Sequence, residues 1–151
     1  QFDSYPGYAN HQAGNDKESD EFYDKALAYD PNNEVVLNNY AYYLSVRGEK
    51  LELAETYSKK SNELSPNNGT YQDTYAWVLY KLARYDEALN WIQKAIANGG
   101  GNSGEVREHY GDILFQLGQS NQAVEQWKKA AEFGGASEWI DQKIREQQLY
   151  E

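Results

Sequence analysis

Three pentapeptides, Tyr40–Leu44 (YAYYL), Tyr75–Leu79 (YAWVL) and Tyr110–Leu114 (YGDIL), stand 35 residues apart. A period of that length constrains the fold more than any other feature, because each period must be one supersecondary unit that recurs. Other positions recur at a step of 34 or 35 residues. Small residues follow the tyrosine (Ala41, Ala76, Gly111). Turn positions recur at Gly14, Gly48, Ala83 and Gly118. A second set of small residues lies beyond each turn, at Ala26, Ser61, Ala95 and Ala130. Boundaries are marked by Asp30–Asn33 (DPNN), Ser65–Asn68 (SPNN), Asn98–Gly101 (NGGG) and Gly134–Gly135.

Within a period the apolar spacing is helical. Leu37, Tyr40, Ala41 and Leu44 fall at i, i+3, i+4, i+7, which is one face of a helix. Tyr75, Ala76, Leu79 and Leu82, at i, i+1, i+4, i+7, keep to one helix face, as do Tyr110, Gly111, Leu114 and Leu117. Second helices read from Ala88, Trp91, Ile92 and Ala95, and from Ala123, Val124, Trp127 and Ala130. No stretch alternates with a period of two, so an all-α chain is expected. Pro31 and Pro66 fall between helices, where a fixed φ and a missing N–H end the run. Each period is therefore a helix, a turn and an antiparallel helix. One such hairpin cannot cover its own apolar face, so hairpins must stack. The small residues at Ala41, Ala76 and Gly111 allow two backbones to approach.

These features resemble the tetratricopeptide repeats: the Tyr-Ala/Gly…Leu first helix, the turn glycine, the Ala…aromatic…Ala second helix and the closing Pro-Asn-Asn. Ala83–Ile96 (ARYDEALNWIQKAI) is especially similar, and the resemblance spans roughly residues 14–135. It implies a right-handed α–α superhelix of stacked helix pairs. The expected organisation is a single array: a partial repeat at 1–33, repeats at 34–68, 69–103 and 104–136, and a capping helix within 137–151. Three departures stand out. One residue is inserted near Lys50–Leu51, Ala83 replaces a turn glycine, and Gly99–Gly101 replaces the closing proline. Pro6 and Gly7 break the first helix expected in Phe2–Ala13. Glu18–Tyr29 reads as the second helix of that partial repeat.

Between the fixed positions runs a stripe whose residue types change. It comprises Asn38, Tyr42 and Ser45, then Asp73, Trp77 and Tyr80, then Glu108, Asp112 and Phe115. In tetratricopeptide repeats this stripe of the first helix lines the concave groove, where similar proteins bind extended peptides or partner helices. The resemblance thus implies a non-catalytic protein-interaction module. Aromatics supply rigid anchors at such faces, and the carboxylates beside them select a neutral or basic partner. In the alternative reading the aromatics fill the array or pack against the chain's own segments. Asp73 and Glu108 stand where one sub-type of the family places basic residues that clamp a C-terminal carboxylate, which argues against that mode.

Composition narrows the remaining classes. The 151 residues carry a formal net charge of −10, which disfavours nucleic acid and anionic membrane surfaces, since both are bound by neutralising phosphate. No apolar run reaches the length of a membrane span. There are no cysteines, so thiol catalysis and cysteine–zinc sites are excluded. The chain begins at Gln1 with no leader-like segment and is read as processed or excised, leaving bacterial cytoplasm and export both open. Glu108, His109 and Asp112 lie close on one helix, a weak metal pattern better read as a polar helix face. Gly99–Gly104 (GGGNSG) lacks the preceding strand and the lysine of a phosphate loop and reads as a flexible connector. Lys17–Leu27 and Leu51–Ser61 read as charge-mixed solvent faces. No cofactor is expected. Two rival functions remain. One is a scaffold that self-associates through its ends, where Trp139 and Ile140 lie. The other is an accessory domain of a larger enzyme or assembly.

Overall fold

The computed structural model describes residues 15–150 and, among them, contains eight α-helices, one turn of 3₁₀-helix and no strand. The helix expected in Phe2–Ala13 and the turn at Gly14 lie outside the described residues. The chain divides into two compact units, Gln1–Pro66 and Asn67–Glu151.

The first unit holds α1 (Asp16–Tyr29), α2 (Glu34–Arg47) and α3 (Leu51–Leu64). Its core is the expected face of α2: Leu37, Tyr40, Ala41 and Leu44 are almost wholly buried. Tyr23 of α1 stacks on Tyr40 with ring centroids 5.0 Å apart, and the Tyr57 ring of α3 lies 5.5 Å from Tyr40, tilted by 30°. Ala54, Ser58 and Ser61 give α3 a buried face of small residues. The α1 segment read as solvated is less so. Ser19, Tyr23 and Leu27 are buried, and both oxygens of Asp20 accept from the Arg47 guanidinium at 3.0 Å. A planar guanidinium suits such a two-point contact, so this charge ties α1 to α2.

The second unit holds α4 (Gly69–Lys81), α5 (Tyr85–Ala97), α6 (Gly104–Gln116), α7 (Ser120–Phe133) and the short α8 (Ile140–Glu146). Ala88, Ile92 and Ala95 of α5 and Ala123, Trp127 and Ala130 of α7 are all buried. Gly111 shows why the first helix needs a small residue here. A Cβ on it would meet the Trp127 ring atoms at 2.4 Å.

The asparagines of the boundary motifs are helix caps. Asn33 Oδ1 accepts from the Val36 N–H at 3.2 Å, and Asn68 Oδ1 from the Tyr71 N–H at 3.0 Å. Ser103 takes the same role before α6, accepting from Val106 N–H at 3.2 Å. Each satisfies a backbone donor that a helix start leaves open.

The departures from the repeat are absorbed locally. Gly48, Ala83 and Gly118 share one left-handed conformation, with φ of 71°, 61° and 81°. Ala83 thus keeps the glycine geometry at a steric cost. The inserted residue is accommodated by Lys50, whose φ of 49° is also left-handed. The glycine connector is not the loose segment expected. Gly100–Asn102 forms a 3₁₀ turn, Arg107 Nε donates to the Gly101 carbonyl at 2.8 Å, and a Cβ on Gly100 would fall 2.8 Å from the Ala95 carbonyl oxygen. The segment is pinned because backbone packs directly on backbone. The terminal helix is shorter than the Ser137–Tyr150 span allowed, and Gln147 ends it in a left-handed conformation.

Candidate peptide-binding face

Asp73, Trp77 and Tyr80 lie at i, i+4, i+7 on α4, and all three are buried. The Trp77 ring is sandwiched. Tyr80 stacks on it at 4.4 Å with planes 7° apart, and His109 of α6 stacks on it at 4.1 Å and 19°. Trp77 and Tyr80 belong to the hydrophobic cluster of the second unit, together with Leu79, Ile92 and Ile113. The Tyr80 hydroxyl accepts from Gln116 Nε2 at 3.2 Å. These aromatics are therefore a rigid floor with little free surface.

His109 is the hinge of this arrangement. Its Nδ1–H donates to Asp73 Oδ1 at 2.8 Å. Burial works against its charge, but the Asp73 carboxylate, its hydrogen bond and the nearby Glu105 and Asp112 outweigh burial and push the imidazole up to about 9. At neutral pH the ring is an imidazolium lying on an indole face, a favourable placement for a cation.

The equivalent stripe on α6 meets a different cation. Lys143 of α8 donates to Glu108 Oε2 at 2.8 Å and to the Asp112 oxygens at 2.9 and 3.0 Å. Asp112 also accepts from Trp127 Nε1 at 2.9 Å. Glu108 accepts from the Ser137 N–H at 2.7 Å and the Ser137 hydroxyl at 2.6 Å. Burial raises the Glu108 carboxyl, yet the bonds from Lys143 and Ser137 prevail and hold it below its ordinary range. Asp112 goes the other way. Burial dominates, Lys143 offsets it only in part, and the carboxyl is pushed up to about 6. Phe115 completes the stripe, half-buried and stacked on Trp127 at 5.8 Å.

In the first unit Asn38 is buried and its Nδ2 donates to Asn39 Oδ1 at 3.4 Å. Tyr42 is half-buried with its ring edge against Tyr43. The Ser45 hydroxyl donates to the Tyr42 carbonyl at 2.6 Å, so it is spent on its own helix.

The trio Glu108, His109 and Asp112 is split by these contacts: the histidine faces Asp73 while the carboxylates hold Lys143. Beside Asp73 a cleft of about 440 Å³ opens at the starts of α4 and α6, lined by Asn68, Thr70, Asn98, Ser103 and Glu105 among others. Reading the sequence missed the pairing roles of His109, Ser137 and Lys143. One signal was available: Asp73, Glu108 and Lys143 are spaced 35 and 35, so the repeat register runs on into α8.

A family model described as Tetratricopeptide repeat matches residues 2–132. The chain belongs to the tetratricopeptide repeat family. Among solved structures it is similar to MamA AMB-1, with 26% identity, a TM-score of 0.69, and coverage of 84% of this chain and 74% of that one. MamA MSR-1 is similar at 25% identity and a TM-score of 0.67, covering 84% and 72%. TTC0263, a thermophilic protein of the family in Thermus thermophilus, shares the fold at a TM-score of 0.76 and 18% identity, covering 93% and 77%. No match was found among curated proteins. The fold is thus the tetratricopeptide solenoid, and the chain is a protein-interaction or scaffold module. Among the described residues no helix is long and apolar enough to cross a membrane.

Proposed function

We propose that the face of α4 and α6 carrying Asp73, Trp77, Tyr80, Glu108, Asp112 and Phe115 binds a peptide or helix of a partner protein, and selects for positive charge. Asn38, Tyr42 and Ser45 hold the corresponding repeat positions on α2 of the first unit. The observation that carries this reading is that the stripe's carboxylates already hold cations. Asp73 takes the His109 imidazolium at 2.8 Å, and Glu108 and Asp112 take the Lys143 ammonium at 2.8 and 2.9 Å. A carboxylate set beside aromatic surface gains more from a cation than one in open water, because the local dielectric is lower. The stacked Trp77–Tyr80–His109 floor keeps those groups in place before a partner arrives, which lowers the ordering cost of binding.

The test is a decapeptide array probed with the full chain. Bound sequences should be enriched in lysine and arginine. Phe115→Ala, which removes a half-buried ring at the edge of the stripe, should weaken those peptides at least tenfold. Phe133→Ala, at an exposed position on α7, should leave them unchanged. Enrichment in acidic peptides, or equal loss in both variants, would refute the reading.

A further inference from the structure

The Glu108–Asp112 pair is a lysine site seen with its occupant in place. The Lys143 side chain is only 3% exposed, its ammonium lies within 3.0 Å of both carboxyl groups, and the Trp127 ring lies 5.9 Å from Nζ. The helix that delivers it is short, and besides Lys143 it is held by Ile140, with Ile144 partly buried against the same cluster. α8 has seven residues, and it is joined to α7 through Gly134 and Gly135, which both adopt positive φ. Only Ile140 and Lys143 of α8 are buried. A buried carboxylate pair left without a cation is strongly disfavoured, because its charge is then desolvated and uncompensated. The site therefore exchanges one cation for another rather than emptying.

We propose that α8 is a built-in competitor: Lys143 occupies the acidic end of the binding face, and a helical partner segment presenting a lysine or arginine must displace it. This rests on the reading of that face as a cation-selecting groove. The occupant follows from charge complementarity and from the fit of α8, which defines what a bound segment must offer: an ammonium for Glu108 and Asp112, with an apolar residue three positions earlier at the place of Ile140. A tethered lysine competes at a high effective concentration, commonly in the millimolar range for a short linker. Free segments of the same kind therefore bind the intact chain only weakly. A partner gains entry by offering further contacts to the half-buried Phe115 at the edge of the stripe. The surface is thereby guarded against single stray lysines.

The probe is an end-capped synthetic peptide of Glu138–Gln147 (EWIDQKIREQ). Three carboxylates against two cations give it a net charge of −1, so general attraction to an acidic protein contributes nothing. Its control carries acetyl-lysine in place of Lys143. Binding is measured by fluorescence anisotropy to the full-length chain and to Lys143→Ala. Far-UV circular dichroism verifies that the variant is folded. The expected result is at least tenfold tighter binding to Lys143→Ala than to the wild type, with no binding of the acetylated peptide to either. Lys143→Arg, which keeps the cation, should bind as weakly as the wild type. Should Lys143→Ala prove unfolded, a protease site inserted between Gly134 and Gly135 allows α8 to be cut in the folded chain. The released site should then take up the labelled peptide and lose it to the unacetylated competitor alone. Equal binding to wild type and variant would overturn the competitor role while leaving the groove reading intact. No binding to a folded Lys143→Ala chain would overturn both.

Discussion

Ala83 and Gly111 show how much a single backbone or side-chain atom decides in this array. Ala83 holds a φ of 61° at a turn whose equivalents, Gly48 and Gly118, are glycine. A left-handed conformation costs an L-residue about 1–2 kcal/mol, and glycine gives part of that back in unfolded-state entropy. Ala83→Gly should therefore stabilise the chain by roughly 0.5–1 kcal/mol, read as a higher urea midpoint at unchanged slope. Gly111 is the opposite case. The Trp127 ring fills the space that a Cβ would need, and it cannot withdraw without breaking the indole bond to Asp112. Gly111→Ala should cost on the order of 1–3 kcal/mol from overpacking, checked by the same denaturation. Trp77 belongs here too. Stacked against Tyr80 and His109, it is a packing residue of the second unit. Trp77→Ala should lose roughly 3–5 kcal/mol as a large-to-small core change. That makes it a poor variant for testing binding, and Phe115 a better one.

Between elements, buried charge pairs add to the apolar packing. α6 is tied to α4 through His109 and Asp73, and to α8 through Glu108, Asp112 and Lys143. The histidine pair fixes a pH dependence. The folded-state value of about 9 lies above the ordinary 6.5, so folding takes up a proton. The resulting stability is fully present below about pH 6.5 and is lost as pH rises through 9. At 1.36 kcal/mol per unit the whole effect is on the order of 3 kcal/mol. Asp112, pushed up to about 6, titrates below that window and does not blur it. Thermal melts between pH 6.5 and 9.5 should show a falling midpoint in the wild type and a nearly flat one in His109→Gln. A flat wild-type profile would mean that the imidazole is neutral in the folded chain.

For the molecule as a whole the governing quantity is the formal charge of −10. Exposed carboxylates repel one another in the compact state, whereas the pairs around Asp73, Glu108 and Asp112 are buried and little screened by salt. Added sodium chloride should therefore raise the melting midpoint by a few degrees between about 0.02 and 0.3 M, instead of lowering it as it would for a fold resting on surface ion pairs. A midpoint that falls with salt would place the important charge pairs at the surface.

The helical spacing of Tyr40, Ala41 and Leu44, repeated at 75–79 and 110–114, determined the hairpins, their turns and their buried faces. Periodicity is a local property, and every residue that supplies it lies within one or two turns of the next. The same register also marked the stripe of changing residues and its charged and aromatic make-up. What covers that stripe was settled only by tertiary packing. Whether Trp77 faces a partner or a neighbour depends on where the His109 ring comes to rest, and whether Glu108 and Asp112 are open depends on a lysine about 35 residues further along. A charge or ring acts through what stands within a few ångströms of it, and across such sequence distances only the folded chain brings those partners together.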